Sequence, residues 1–247
     1  MVRAVIAIAS FSEQPVKTLE LVSTMQLEHY GAPPDAPTIE DYARKLPFSY
    51  LAEEAPDLAR YVERHYADPN AAVSSWARQF LESEGGDETF TALSRMCKGI
   101  QETLKYAMRF EAGTQPPATT LESGGGTCRD YALLMMEGAR ALGVAARFIT
   151  GYLYDPATDK PDAAKSGQPS QPHAWMEVYL PGAGWIEFDP TNGIIGSERL
   201  IRVAVGRDPE QAMPIKGTFT GAPGVGIAAH VVVQVRTMGS STPAPVA

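Results

Sequence analysis

GGGTCRDYALL, residues 124–134, decides how this chain is read. Three glycines and a threonine deliver Cys128 to the start of an apolar, helix-periodic run that continues to about Leu142 and closes at Gly143. Glycine is the usual residue just past a helix C-terminus. A thiol in the first turn of a helix feels unpaired backbone N–H groups and the positive end of the helix dipole, and both favour thiolate over thiol. Arg129, next in the chain, could add to that field. The glycines allow backbone and substrate to come close. The same N–H groups could hold an oxyanion formed when a thiolate attacks a carbonyl. Taken alone, however, a free cysteine is more often a small apolar residue packed in a core. Cys97 fits that description. It lies in the stripe Leu93, Met96, Cys97, Ile100, Leu104, Met108, whose steps of three and four define one face of a helix. The stripe predicts a helix from Asp87 to Met108, with Gly85, Gly86 and Asp87 as its turn and N-cap.

Downstream, AARFITGYLY (145–154), HAWMEVYL (173–180) and GWIEFD (184–189) read as strands. The polar segment DPATDKPDAAKSGQPSQP, 155–172, reads as a surface loop. His173 opens the second strand and Asp189 ends the third, with only a PGAG turn between the strands. In an antiparallel hairpin the start of one strand lies beside the end of the next. Asp189 can therefore reach the His173 imidazole and fix its tautomer. The imidazole can accept the Cys128 proton and later protonate a leaving amine. Asp189 could instead serve only to cap the DPTNG turn. One arrangement of Cys128, His173 and Asp189 nevertheless explains the glycine loop, the helix start and the hairpin together. His29, His65 and His230 have no such context and read as structural or solvated.

Zinc is the chemical rival, but one Cys, one His and one Asp without a paired spacing such as CxxC make a poor ligand set. No metal and no cofactor are expected. Trp175, two residues after His173, faces the same side of its strand. It is the candidate substrate-side residue, able to shield a thiolate–imidazole pair from water, although both it and Trp185 also read as core. Asp130 and Tyr131 belong to the first helical turn, with no role assigned.

Upstream, AVIAIASF and TLELVSTMQLEHY make residues 3–30 β-like, and they need another surface to pair with because two strands alone are marginal. GAPPDAP (31–37) is a linker, residues 39–109 read as helical, and TQPPATTLESGGG (114–126) as a breaker-rich loop. RLIRVAV (199–205) and HVVVQVR (230–236) read as further strands. The plan is α+β: residues 1–36 a β remnant and linker, 37–240 one catalytic domain, 241–247 a frayed tail.

Lys and Arg number 21 against 29 Asp and Glu, a net charge of −8, which argues against nucleic acid as a partner. No apolar run is long enough to cross a bilayer, so no membrane association is expected. MVRAVIAIASF breaks at Ser10 without a cleavage site and does not read as a signal peptide. Two cysteines with dissimilar surroundings point to free thiols in a reducing, cytoplasmic compartment.

GGGTCRDYALLMMEGARALGVAARFITGYLY, then HAWMEVYLPGAGWIEFDPTNG, resembles the core of the transglutaminase-like superfamily in its bacterial cysteine-protease-like branch. The family pattern puts a nucleophile in G-x-C-R-D, a base in H-A-W-x-E-V and an acid in F-D-P-T, which are Cys128, His173 and Asp189 here. RLIRVAVGRDPEQAMPIKGTFTG also looks like that branch, so the resemblance runs from about residue 47 to about 237. It implies a papain-like triad on helices packed against an antiparallel sheet or barrel. It also implies amide chemistry through a thioester on a protein or peptide substrate. The superfamily includes crosslinkers, peptidases, deamidases and peptide:N-glycanases. Hydrolysis is the favoured expectation, since no amine pocket or calcium loop stands out. A non-catalytic peptide- or protein-binding module is the alternative, and three intact chemical groups argue against it.

Two departures stand out. Members of this branch carry a full N-terminal β-domain, of which only the last strands are expected here. The chain then reads as truncated or late-starting, and those strands could pair in a homodimer. The upstream residue that shares the oxyanion hole in relatives is not identifiable beyond the stretch KYAMRFEAG, 105–113.

Overall fold

The computed structural model describes residues 2–9, 17–30, 37–81, 87–109, 111, 113–156, 172–215, 217–218, 220–222, 224, 226, 228, 230–235 and 237. Most of the 155–172 loop, residues 31–36 of the linker, Gly85, Gly86 and the 241–247 tail lie outside them. In chain order the elements are β1 (Val2–Ala9), β2 (Leu21–Leu27), β3 (Lys45–Leu46), α1 (Ala55–Val62), α2 (Ala72–Arg78), β4 (Asp87–Glu88) and α3 (Thr89–Thr103). There follow β5 (Lys105–Tyr106), α4 (Pro117–Ser123), β6 (Gly125–Gly126), α5 (Cys128–Ala141), β7 (Ala146–Leu153), β8 (Pro172–Leu180), β9 (Gly184–Asp189), β10 (Ile194–Ile195) and β11 (Leu200–Gly206).

The centre of the molecule is α5. Cys128 and every residue from Asp130 to Arg140 are buried, the pattern of a helix enclosed on all sides rather than one with a single apolar stripe. Leu133, Leu134, Met135 and Met136 are fully buried, each contributing about 1.5–3 kcal/mol on transfer from water. Gly138 permits the crowding, since a Cβ there would come within 2.8 Å of the Trp76 ring and 3.0 Å of the Met96 sulfur. α2 and α3 therefore close directly on α5.

On another side α5 lies against a five-stranded sheet of order β10-β9-β8-β7-β11, antiparallel throughout. The register sets Met176 of β8 beside Phe148 of β7 and Phe188 of β9. All three are fully buried, a cross-strand row that fixes which way β8 faces. The buried Glu177 carboxylate also ties three strands together, accepting from Arg147 on β7 at 2.6 Å and from Arg202 on β11. Mixed helices and sheet agree with the α+β expectation.

Local differences have physical causes. Among the described residues, the helical 39–109 region contains α1, α2 and α3. α3 ends at Thr103 rather than Met108, because the Lys105 N–H bonds the Gly124 carbonyl at 2.9 Å and draws the chain into β5. Met108 is consequently exposed. Asp87 does not cap α3: it pairs in β4, and Glu88 occupies the N-cap position. The 114–126 segment contains α4. Its prolines start a helix, where a missing N–H costs nothing, and Gly124 ends it at φ +67°. The strands at 3–30 find their partner in each other, forming a two-stranded sheet with Ala9 opposite Leu21. Residues 230–235 form no strand beyond a single bridge at Val233, which alone is buried while Val231 and Val232 stay exposed.

Candidate active site

Cys128 is the first residue of α5 and 9% exposed. Its helix begins with a capping box. The Thr127 N–H donates to Asp130 Oδ2 at 2.8 Å, and the Thr127 side chain accepts from the backbone of Asp130. Such a box satisfies two orphan donors of the first turn and leaves the Cys128 backbone N–H available. Arg129 is turned inward, over the Phe148 ring and onto the Pro209 carbonyl at 3.3 Å. Gly125 and Gly126 face protein rather than an open approach, whereas a Cβ on Gly124 would meet nothing within 4 Å. A Cβ on Gly125 would meet the Lys105 carbonyl oxygen at 2.5 Å, and one on Gly126 would meet Asp130 Cβ at 2.8 Å.

His173, at the start of β8, is 8% exposed, and its Nε2 lies 2.8 Å from Asp189 Oδ2 at the end of β9. The hairpin brings strand start and strand end together. With Nε2 committed to the carboxylate, Nδ1 is the nitrogen left for the Cys128 thiol, which lies within hydrogen-bonding reach of the ring. Burial by itself depresses the imidazole. The Asp189 bond, then the Cys128 contact and the charges of both, outweigh it and push His173 up to about 10. The site thus favours the protonated form of the His173 imidazole.

Asp189 is fully buried. Its Oδ1 accepts the Thr191 and Asn192 N–H groups at 3.0 and 3.4 Å, and its Oδ2 accepts Asn192 Nδ2 at 2.7 Å as well as His173. The DPTNG turn therefore does both jobs weighed for it: the carboxylate organises the turn and meets the imidazole. Asn192 was not singled out from sequence. Its position three residues after Asp189 in a turn was the available signal.

Trp175 does share the His173 face, with ring centroids 5.9 Å apart and planes at 26°. It presents no surface to a substrate, however. It is fully buried with Ile149 and Leu200, and its Nε1 donates to Glu187 at 3.2 Å, so it backs the imidazole. Trp185 lies under the Arg147 guanidinium, 3.9 Å from its ring centroid.

The stretch 105–113 supplies a definite side chain, the phenol of Tyr106. Its hydroxyl lies within hydrogen-bonding reach of both the Cys128 thiol and the Cys128 backbone N–H. Burial, followed by the Cys128 charge and bond, pushes that hydroxyl up to about 12. The parallel pairing of β5 with β6 puts it there, through Lys105 N–H to Gly124 and Ala107 N–H to Gly126, both at 2.9 Å. Tyr131 meets the Tyr106 ring edge-on at 6.3 Å. No group of three or more His, Cys, Asp or Glu among the described residues is arranged to hold a metal ion.

The model of the transglutaminase-like superfamily matches residues 74–190, a span that contains Tyr106, Cys128, His173 and Asp189. An uncharacterised protein of Mycobacterium leprae is 33% identical over 116 residues, 46% of this chain and 38% of that protein. An uncharacterised protein of Mycobacterium tuberculosis is 36% identical over 97 residues, covering 37% of this chain and 30% of its own length. The matched stretches thus span 30–38% of these relatives. A candidate cysteine protease from Cytophaga hutchinsonii has the same fold, with a TM-score of 0.58 at 18% identity over 86% of this chain and 73% of that one. Residues 74–190 thus match the transglutaminase-like superfamily, and the chain shares its fold with the Cytophaga protein.

Proposed function

We propose that this chain is a cysteine-dependent enzyme that cleaves an amide bond of a protein or peptide through a thioester on Cys128. One observation carries the reading. A thiol in the first turn of a buried helix lies within hydrogen-bonding reach of an imidazole that is bonded at 2.8 Å to a buried carboxylate. Metal-free nucleophilic catalysis needs these three roles in this order.

In the reaction, Nδ1 of His173 takes the Cys128 proton, and Asp189 stabilises the resulting imidazolium. The thiolate attacks the amide carbon. The oxyanion is received by the Cys128 N–H and the Tyr106 hydroxyl, and the loss of one such donor costs about 10²–10³ in rate. His173 returns its proton to the departing amine or ammonia, the C–N bond breaks, and the acyl group remains on sulfur. Water, deprotonated by Nδ1, then releases the acid. An amine in its place would give transamidation, and hydrolysis is the preferred course because the sequence carries no amine-binding motif. Asn192 steadies Asp189, and Trp175 keeps water from the back of the imidazole. Both cysteines are free, which fits the reducing, cytoplasmic setting we propose. No helix among the described residues is long and apolar enough to cross a membrane.

The test is intact-protein mass spectrometry after incubation with glutamine-bearing peptides and with cell extract. The expected result is an acyl adduct on Cys128 that is absent from Cys128→Ala. No adduct, with Cys128 alkylating no faster than Cys97, would favour the non-catalytic binding module instead.

A further inference from the structure

The Asp130 carboxylate is fully buried and gathers donors from three separate segments. Arg109 grips it with two bonds, Nε to Oδ2 at 2.9 Å and Nη2 to Oδ1 at 3.0 Å. The Gln115 N–H donates to Oδ1 at 2.8 Å. The Thr127 N–H and hydroxyl donate to Oδ2 at 2.8 and 2.9 Å. Burial alone would raise this carboxyl, but the Arg109 fork and the Thr127 and Gln115 bonds hold it below the usual carboxylate range. It is therefore a fixed anion, and the fork geometry makes its grip on Arg109 directional as well as strong.

Asp130 is also the N3 residue of α5, two positions after Cys128, and it defines where that helix begins. Arg109 is three positions after Tyr106 on the other segment. Between them Ala107 is bonded to Gly126 at 2.9 Å. Beyond Ala107, the next hold of the β5 segment on the α5 start is the Arg109–Asp130 fork. Without it, the main-chain hold on the Tyr106 segment is the two-residue pairing of β5 and β6.

We propose that Arg109 is a positioning residue. Its fork on Asp130 locks the Tyr106 segment to the start of α5 and so sets the spacing between the Tyr106 hydroxyl and the Cys128 N–H. The inference rests on the reading of Cys128 as an acylated nucleophile and extends it to the group that holds the oxyanion site in shape. A misplacement of about 1 Å costs as much as ~10²-fold in rate.

Two reactions of one thiol separate this role from a merely structural one. Acylation by p-nitrophenyl acetate requires an oxyanion: the thiolate attacks the carbonyl carbon, the C–O bond breaks, p-nitrophenolate leaves, and an acetyl thioester remains on Cys128. Alkylation by iodoacetamide displaces iodide and forms no oxyanion. Arg109→Met should lower the acylation rate by roughly 10-fold or more while alkylation stays within about 3-fold of the wild type. Arg109→Lys keeps the charge but loses the fork, and should fall between the two. Tyr106→Phe should lose acylation by ~10²-fold, and adding Arg109→Met to it should change acylation by less than about 3-fold, since nothing is left to position.

Wild-type acylation in Arg109→Met would overturn the proposal. So would parallel losses of acylation and alkylation, or a double variant as slow as the product of the two single effects. Loss of a cooperative melt in both Arg109 variants would do the same, by making Arg109 a folding residue. Failure of the underlying reading looks different, because the wild-type protein itself would then gain no acetyl group on Cys128.

Discussion

Cys97 and Cys128 belong to the same apolar cluster and differ little in exposure, 0% against 9%. Their surroundings differ in kind. Cys97 sits in the middle of α3, its sulfur 3.8 Å from the Ile194 carbonyl, and burial pushes its thiol far up. Cys128 sits at the start of α5 among an imidazole, a phenol and its own N–H, which no helical carbonyl takes up. Burial alone therefore does not classify a thiol. A helix interior has already spent its N–H groups on its own carbonyls, whereas the first turn has them to offer.

The widest separation between the two should come from deletion. Cys128→Ala or His173→Ala should reduce thioester formation from p-nitrophenyl acetate by about 10³-fold or more, read as the loss of the acetyl mass. Retention of that mass in Cys128→Ala would transfer the chemistry to another residue. At neutral pH, iodoacetamide should modify Cys128 at least ~10²-fold faster than Cys97, followed by peptide mapping over time. Equal rates would erase the distinction. Asn192→Ala leaves Asp189 short of its side-chain donor and should slow acylation by roughly 10-fold. An unchanged rate would reduce Asn192 to a turn residue.

The titration of His173 has a definite sign. Its folded value is raised to about 10 from an ordinary 6.5, so the folded state binds the proton more tightly. The stability this supplies is complete below about pH 6.5 and fades as pH rises through about 10. The melting-temperature gap between wild type and His173→Gln should therefore narrow from pH 6 to pH 10.5, and a widening gap would reverse the assignment. Amide turnover should fall off on the alkaline side near the same pH as the proton donor is lost. The smallest effect belongs to Cys97→Ala. It should cost about 1–2 kcal/mol of stability as a small cavity, with acylation inside ~2-fold of the wild type.

Much of this site was legible because it is local. A hairpin with a three-residue turn must bring its first and last residues together, so His173 and Asp189 could be paired from spacing alone. The end of α5 at Gly143 and its start after Thr127 follow from capping rules of the same short range. The glycines were legible as a need for space but not as to what fills it. Gly125 and Gly126 meet Lys105 and Asp130, and neither contact has a sequence periodicity. The end of α3 was misread for the same reason. The apolar stripe continues to Met108, yet pairing with a segment about twenty residues further on outweighs a last turn of helix. Trp175 was correctly turned toward His173, but only the packing of Ile149 and Leu200 closes it off from substrate.

By itself, then, the sequence determined the α+β plan, the helix that starts at Cys128, and the meeting of His173 with Asp189. Each depends on periodicity, capping or a short turn. The tertiary structure alone decided that α5 is enclosed on all sides, that Tyr106 comes within hydrogen-bonding reach of Cys128, and that Arg109 and Asp130 clasp the two segments together. Those outcomes depend on contacts between residues some twenty or more positions apart, whose entropy of closure is repaid only when the whole core assembles.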